Sequence, residues 1–104
     1  MGFFDWLTGL FGGGYDPLRD YDFEDVITLT KKNGEETEYL YMEGVKYNGK
    51  YYAVLELRYP GPNDEYKFST WEVVHESDGN YFQPIKDYSL ERKVTQMIID
   101  KMGE

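Results

Sequence analysis

The stretch Tyr47–Tyr59, which reads YNGKYYAVLELRY, decides the fold of this chain. Asn48-Gly49 lies near its start, and Asn-Gly is a strong hairpin signal because both central positions of a type I′ turn need a positive φ. The strand that follows, Tyr51–Tyr59, is apolar on both faces, which is typical of a central strand. The stretch therefore predicts a hairpin that leads into the centre of an antiparallel sheet.

Two further turn dipeptides, Asn33-Gly34 and Asp78-Gly79, flank this stretch in the sequence. Residues between the turns alternate polar with apolar or aromatic side chains, which is the period of a β-strand. The predicted strands are Val26–Thr30, Glu36–Met42, Tyr51–Tyr59, Lys67–Glu76 and Asn80–Gln83, with Val45 and Tyr47 leading into Asn48-Gly49. Together they predict an antiparallel β-meander sheet of about five strands.

A helix is expected after the last strand. Leu90, Val94, Met97 and Ile98 fall at helical spacing and form one apolar stripe. Either Asp87 or Ser89 is expected to cap its N-terminus. The predicted fold class is therefore α+β, with this amphipathic helix packed on one face of the sheet and residues 26–102 forming the domain.

The N-terminal segment Met1–Phe11 reads MGFFDWLTGLF. Its apolar residues recur at i, i+3, i+4, i+7 and i+8, which predicts a short apolar helix. Gly12-Gly13-Gly14 then breaks any helix and provides a flexible tether, so residues 1–14 form a unit of their own. A helix this short is marginal alone in water and needs a surface to pack on.

An acidic connector, residues 15–25, joins the tether to the sheet. Pro17 and the clustered aspartates disfavour regular structure, so the connector is expected to be a solvated linker. Its acids do not indicate a calcium site, because the glycine and the terminal glutamate of an EF-hand loop are missing.

Composition narrows the function classes. The chain has 104 residues and a formal charge of −9, which argues against a nucleic-acid binder that tracks phosphates and against attraction to anionic lipid. It has no cysteine, so disulfides, thiolate metal sites and cysteine nucleophiles are excluded. No stretch is apolar enough to span a bilayer, and no basic leader region precedes the first apolar residues. We therefore expect a cytoplasmic protein.

The body of the chain resembles the bacterial domain-of-unknown-function family 1292. The resemblance rests on three strings, Ile27–Thr30 (ITLT), Asn33–Glu36 (NGEE) and Tyr47–Ala53 (YNGKYYA), and it extends to Phe82–Ile85 and the helix Leu90–Ile99. It covers roughly residues 26–99 and implies the fold and a bacterial, cytoplasmic origin. This family has no assigned activity, so the resemblance transfers no catalytic residue. The helix here is less acidic than the family's, and Met1–Phe11 lies outside the family pattern.

No arrangement of residues indicates an enzyme. His75 is the only histidine, and although Ser69, Ser77 or Asp78 could join it in a triad, no nucleophile-elbow motif is present. Acidic pairs are too numerous for any one pair to carry meaning, and Gly12-Gly13-Gly14 lacks the lysine of a phosphate loop. We expect no catalytic residue, no cofactor and no metal.

The sequence leaves the function open between classes. The first hypothesis is a non-enzymatic protein-binding or adaptor module that makes its contacts through the N-terminal segment. The second is a small-molecule-binding domain or weak enzyme with a cavity between sheet and helix, and the third is an acidic inhibitor or nucleic-acid mimic. The predicted contact residues are Phe3, Phe4, Trp6, Leu7, Leu10 and Phe11.

The N-terminal segment itself has three alternative surfaces. It docks on the open face of its own sheet, on a partner or a second copy of the chain, or in a membrane interface. An interfacial helix usually carries Lys or Arg on its polar face, and Asp5 is the only charged side chain here, so the membrane is the least favoured. Exposed, these large apolar side chains would promote aggregation, so something is expected to cover them.

Overall fold

The computed structural model describes residues 15–63 and 67–103. Within these residues one five-stranded antiparallel sheet has the order β1-β2-β3-β4-β5, and one α-helix follows it. The elements are a 3-10 turn (Pro17–Asp20), β1 (Val26–Thr30), β2 (Glu36–Tyr47), β3 (Lys50–Leu57), β4 (Phe68–Glu76), β5 (Gly79–Pro84) and α1 (Tyr88–Met102). The predicted α+β meander, with β3 at its centre, is confirmed.

The type I′ turn is confirmed at the second dipeptide alone. Asn48 and Gly49 both have positive φ, 50° and 79°, and they alone separate β2 from β3. At the first dipeptide only Gly34 is positive, at 88°, and its N–H donates to the carbonyl oxygen of Lys31 at 2.9 Å. This turn therefore spans the four residues Lys31–Gly34, and Gly34 takes its left-handed position.

The third turn is centred one residue earlier in the chain than its dipeptide, Asp78-Gly79, predicts. Gly79 pairs with Glu76 and opens β5 with a φ of 141°, so Ser77 and Asp78 form the loop. Any L side chain at Gly79 would be strained by that φ.

β2 is longer than predicted because a β-bulge extends it past Met42. Tyr41 pairs with Leu55, but Glu43 pairs with Val54, so Met42 is the extra residue. Because side chains alternate between faces, one inserted residue reverses which face the odd-numbered positions occupy. The alternation is broken at that point, and for this reason the sequence pattern ends the strand too early.

Helix α1 covers one face of the sheet, which we call the helix face. Tyr52 and Val54 of β3 are buried there against Val94 and Ile98 of the helix. Asp87 is the N-cap, and its carboxylate accepts hydrogen bonds from the backbone N–H groups of Ser89 and Leu90. This decides between the two predicted caps, and it leaves Ser89 in the first turn.

The other side of the sheet, the open face, carries a second core. Its buried members are Ile27, Tyr41, Ala53, Leu55 and Val73. In the part of the chain that the structure describes, no helix longer than the 3-10 turn Pro17–Asp20 packs on this face.

The connector before β1 is not a solvated linker, so that prediction is wrong. Pro17 is buried, and Leu18 and Tyr21 pack against the core of the open face. Leu18 lies so close to β2 that a Cβ at Gly44 would be 2.8 Å from its Cδ2 atom. Apolar side chains among the aspartates therefore dock the connector on the sheet, whereas Asp22, Phe23 and Glu24 stay exposed.

Candidate functional site

The open face carries a groove with a volume of about 620 Å³. Side chains of β1 and β2 form one wall, side chains of β4 and β5 form the other, and the connector closes one end. The apolar and aromatic lining consists of Tyr21, Ile27, Leu29, Tyr39, Trp71 and Phe82. Among the described residues of the lining, Lys31 is the one that carries a charge, although the chain has 20 acidic residues. The groove is therefore a surface without acidic side chains among its described residues, on an acidic protein.

The aromatic rings of the groove contact one another across the sheet. The ring of Tyr21 lies 5.3 Å from that of Tyr41 on β2 and 5.5 Å from that of Phe82 on β5. These strands would be about 14 Å apart in a flat sheet, so the ring of Tyr21 links side chains from strands that are not neighbours in the sheet.

A second aromatic pair lies along the groove. Tyr39 and Trp71 meet edge to face with their ring centroids 5.9 Å apart, an arrangement that aromatic pairs prefer. The indole N–H of Trp71 donates to the hydroxyl oxygen of Ser69 at 2.7 Å. This hydrogen bond satisfies the polar atom of the tryptophan, so its ring can present apolar surface to the groove.

Burial keeps the phenols at this end uncharged. Loss of solvent around Tyr41, and to a smaller extent the nearby negative charge of Glu43, holds the pKa of its hydroxyl well above the ordinary value. Burial likewise raises the pKa of Tyr21. Neither hydroxyl ionises near neutral pH, so neither is suited to act as a base there.

A hydrogen-bonded cluster marks the end of the groove where the described chain begins. The ring of Tyr15 stacks on His75 with centroids 4.2 Å apart, and its hydroxyl donates to Asp20 at 2.6 Å. The side-chain amide of Asn80 donates to the other oxygen of Asp20 at 2.7 Å and, at 3.3 Å, to the hydroxyl of Tyr21. The hydrogen bond from Tyr15, and then that from Asn80, lowers the pKa of Asp20.

His75 has a hydrogen-bond partner other than the serines and the aspartate considered for a catalytic triad. Nδ1 of His75 lies 2.7 Å from the side-chain oxygen of Asn80. Ser69 lies on the same strand as His75, about 20 Å away along it, and Asp78 accepts a hydrogen bond from Tyr81. Among the residues 15–63 and 67–103, no group of three or more His, Cys, Asp or Glu side chains could hold a metal ion.

A second apolar hollow, of about 350 Å³, lies between α1 and the sheet at the opposite end. Phe68, Ile99 and Met102 line it and are all partly exposed. Its two threonines, Thr70 and Thr95, face each other with hydroxyl oxygens 2.6 Å apart. The hollow therefore offers apolar surface, and the hydroxyls at its base already have a hydrogen-bond partner.

The six predicted contact residues of the N-terminal segment lie outside the described residues. From the sequence, the open face is one of three surfaces on which the segment could dock, but the sequence does not predict the groove, because Leu29, Trp71 and Phe82 belong to ordinary strand patterns. The signal that could have indicated the groove is that the one amphipathic helix after the sheet can cover only one of its two apolar faces.

In the described part of the chain, no helix is long and apolar enough to cross a membrane. Comparison of the chain with protein-family models, with curated proteins and with solved structures gave no match.

Proposed function

We propose that the chain is a non-enzymatic protein-binding module that receives an apolar peptide segment in the groove of its open face. One observation carries this proposal: helix α1 covers one face of the sheet, and on the opposite face the described residues line an aromatic groove of about 620 Å³. A groove of this kind is a common receptor for the apolar side of a peptide helix.

The chemistry of the groove favours a protein ligand over other classes. Nucleic acid needs cations that track its phosphates, and the lining has one lysine in a chain of charge −9. A charged peptide would lose solvent on entering a groove whose described lining offers one charged side chain, Lys31. An apolar or aromatic segment gains both buried area and ring contacts with Tyr39 and Trp71, which belong to residue types that dominate binding energy at interfaces.

The N-terminal segment is the other half of this proposal. Phe3, Phe4, Trp6, Leu7, Leu10 and Phe11 form an apolar stripe of the kind that such a groove receives. In an adaptor, the stripe and the groove are complementary surfaces, and each can engage a protein. We place the module in the cytoplasm of a bacterium, and the resemblance to family 1292 and the lack of cysteine support that placement.

The hollow beside α1 supports a second candidate, a small-molecule-binding domain. Its volume of about 350 Å³ is at the lower end for ligand pockets. Small-ligand sites normally add a few polar groups that fix orientation, yet the hydroxyls of Thr70 and Thr95 already face each other. We therefore expect that no metabolite raises the melting temperature of the chain in a thermal-shift screen. A metabolite that raises it in the wild-type chain but not in Ile99→Glu would favour this candidate instead.

A displayed library of random peptides tests the protein-binding function on the full chain. We expect it to enrich peptides with aromatic or aliphatic residues at i, i+3, i+4 and i+7. Leu29→Glu, which introduces a charge into the groove, should abolish their binding. Ile99→Glu introduces the same charge on helix α1 and should leave peptide binding intact. If no peptide is enriched, or if both variants bind equally, the proposed function is wrong.

A further inference from the structure

We propose that the chain's own N-terminal segment, Met1–Phe11, occupies the groove of the open face in the same molecule. This inference rests on the proposed function, because it takes the groove to be a docking surface and names the segment that fills it. A protein partner must then displace this segment in order to reach the groove.

The place where the described chain begins supports this assignment. Tyr15 stacks on His75, and both its ring and its hydroxyl are held on the open face. His75 contacts Asn80, which is a lining residue of the groove. The described chain therefore begins at one end of the groove, on the face that α1 does not cover.

The length of the tether fits the distance that must be covered. From Phe11 to Tyr15 the chain takes four Cα–Cα steps, which span at most about 14 Å. As a helix, Phe3–Phe11 would be about 13 Å long. The lining stretch of β5, from Asn80 to Pro84, is also about 13 Å long. The segment can thus lie along the groove without strain in the three glycines.

The chemistry of the two surfaces also matches. The segment has one charged side chain, Asp5, and the groove lining has one, Lys31. Both surfaces are therefore almost uncharged, although the chain as a whole has 20 acidic and 11 basic residues. Hydrophobic burial is thus the main gain when they meet. Burial also removes from water the phenylalanines and the tryptophan that would otherwise promote aggregation.

The tether makes docking within one molecule stronger than docking between two. A short flexible linker gives an effective concentration on the order of millimolar. At micromolar protein concentration, docking between two copies is therefore weaker than docking within one molecule, unless the tether prevents the segment from reaching its own groove. The hollow beside α1 lies at the opposite end and on the other face, so it competes poorly for the same segment.

The two tryptophans provide a test on the full chain, because one lies in the segment and one in the groove. Trp71→Phe leaves Trp6 as the single fluorophore. We expect its emission to be shifted to short wavelength and shielded from acrylamide at every protein concentration. Adding Leu29→Glu should raise the quenching constant of Trp6 severalfold, whereas adding Ile99→Glu should leave it unchanged.

Three results would overturn the inference. Trp6 could be quenched like free tryptophan amide, its shielding could survive Leu29→Glu, or its shielding could disappear on dilution, which would assign the groove to a second copy. Wild-type protein labelled with fluorotryptophan gives the same comparison by fluorine NMR, so a folding defect of Trp71→Phe does not block the test.

Failure of this inference and failure of the proposed function give different results. Trp6→Asp combined with Leu10→Asp should release the segment and raise the affinity of library peptides for the full chain. If peptides bind the groove equally with and without these substitutions, only the inference fails. If Trp6 is shielded by the groove and no peptide binds even after release, only the proposed function fails.

Discussion

The ring of Tyr15 stacks on the imidazole of His75 with centroids 4.2 Å apart and an angle of 27° between the ring planes. The hydroxyl of the same tyrosine donates to Asp20 at 2.6 Å. These two contacts hold the first described residue at the end of the aromatic groove on the open face. The described chain therefore begins beside that groove.

Replacing Tyr15 should change the surroundings of the only histidine. In Tyr15→Ala the ring current over His75 is lost, so the imidazole proton resonances should move by NMR. Tyr15→Phe is the matched control, because it keeps the ring and removes only the hydrogen bond to Asp20. Unchanged His75 resonances in Tyr15→Ala would mean that the stack does not form in solution.

Gly44→Ala should destabilise the protein by crowding the docked connector. The added Cβ would lie 2.7 Å from the hydroxyl oxygen of Tyr41 and 2.8 Å from Cδ2 of Leu18. Overpacking of this kind typically costs about 1–3 kcal/mol, which urea unfolding can measure.

A double-mutant cycle isolates the cause of that loss. Leu18→Ala removes the crowded methyl groups, so its combination with Gly44→Ala should cost less than the two single losses added together. Strict additivity would show that Leu18 does not pack on β2 at Gly44.

Adjacent residues of α1 should differ sharply in their effect on stability. Ile98 is 0% exposed against the helix face, and Ile99 is 53% exposed. Ile98→Ala should lower the free energy of unfolding by about 2–5 kcal/mol, whereas Ile99→Ala should change it by about 0.5 kcal/mol or less. Equal effects of the two substitutions would contradict the packing of this helix.

Stability should fall at alkaline pH. The pKa of Tyr41 is raised in the folded protein, mainly by burial, so above about pH 10 the unfolded chain releases a proton that the folded chain retains. The contribution of this tyrosine to the free energy of unfolding is thus fully present below the unfolded pKa. It decreases as the pH rises above that value, by at most about 1.4 kcal/mol per pH unit for each such group.

Urea titrations from neutral pH to pH values above the ordinary tyrosine pKa check this prediction. Tyr41→Phe should make the decline less steep, and Tyr59→Phe, at a position 71% exposed, is the matched control that should keep it. An unchanged slope in Tyr41→Phe would contradict the role of its burial. The remaining slope is expected from Tyr21 and Tyr52, because burial raises the pKa of both.

Local signals made most of the fold predictable. Asn48-Gly49 sets its hairpin because both residues adopt the positive φ that this turn needs. The stripe through Val94 and Ile98 places α1 on the sheet, because both residues must leave water. In each case the residues that determine the element lie close together in the sequence.

The features that were not predictable depend on contacts between distant residues. The β-bulge at Met42 allows Tyr41 to face one core and Val45 the other, and a fixed alternation cannot express that change. Leu18 looks solvated among aspartates, and its docking requires the absence of a side chain at Gly44. The groove is likewise a consequence of which face the single described helix covers.

Docking of Met1–Phe11 in the groove is the central claim of this account, and a spin label tests it most directly. The chain has no cysteine, so Thr8→Cys gives one attachment point within the segment. In an isotope-labelled full chain, we predict broadening of the amide signals of Leu29 and Phe82 and sharp signals for Arg92 and Gln96 on α1. Mixing labelled chains with separate spin-labelled chains should broaden none of them. Sharp groove signals in the first sample, or broadened ones in the mixture, would contradict the claim.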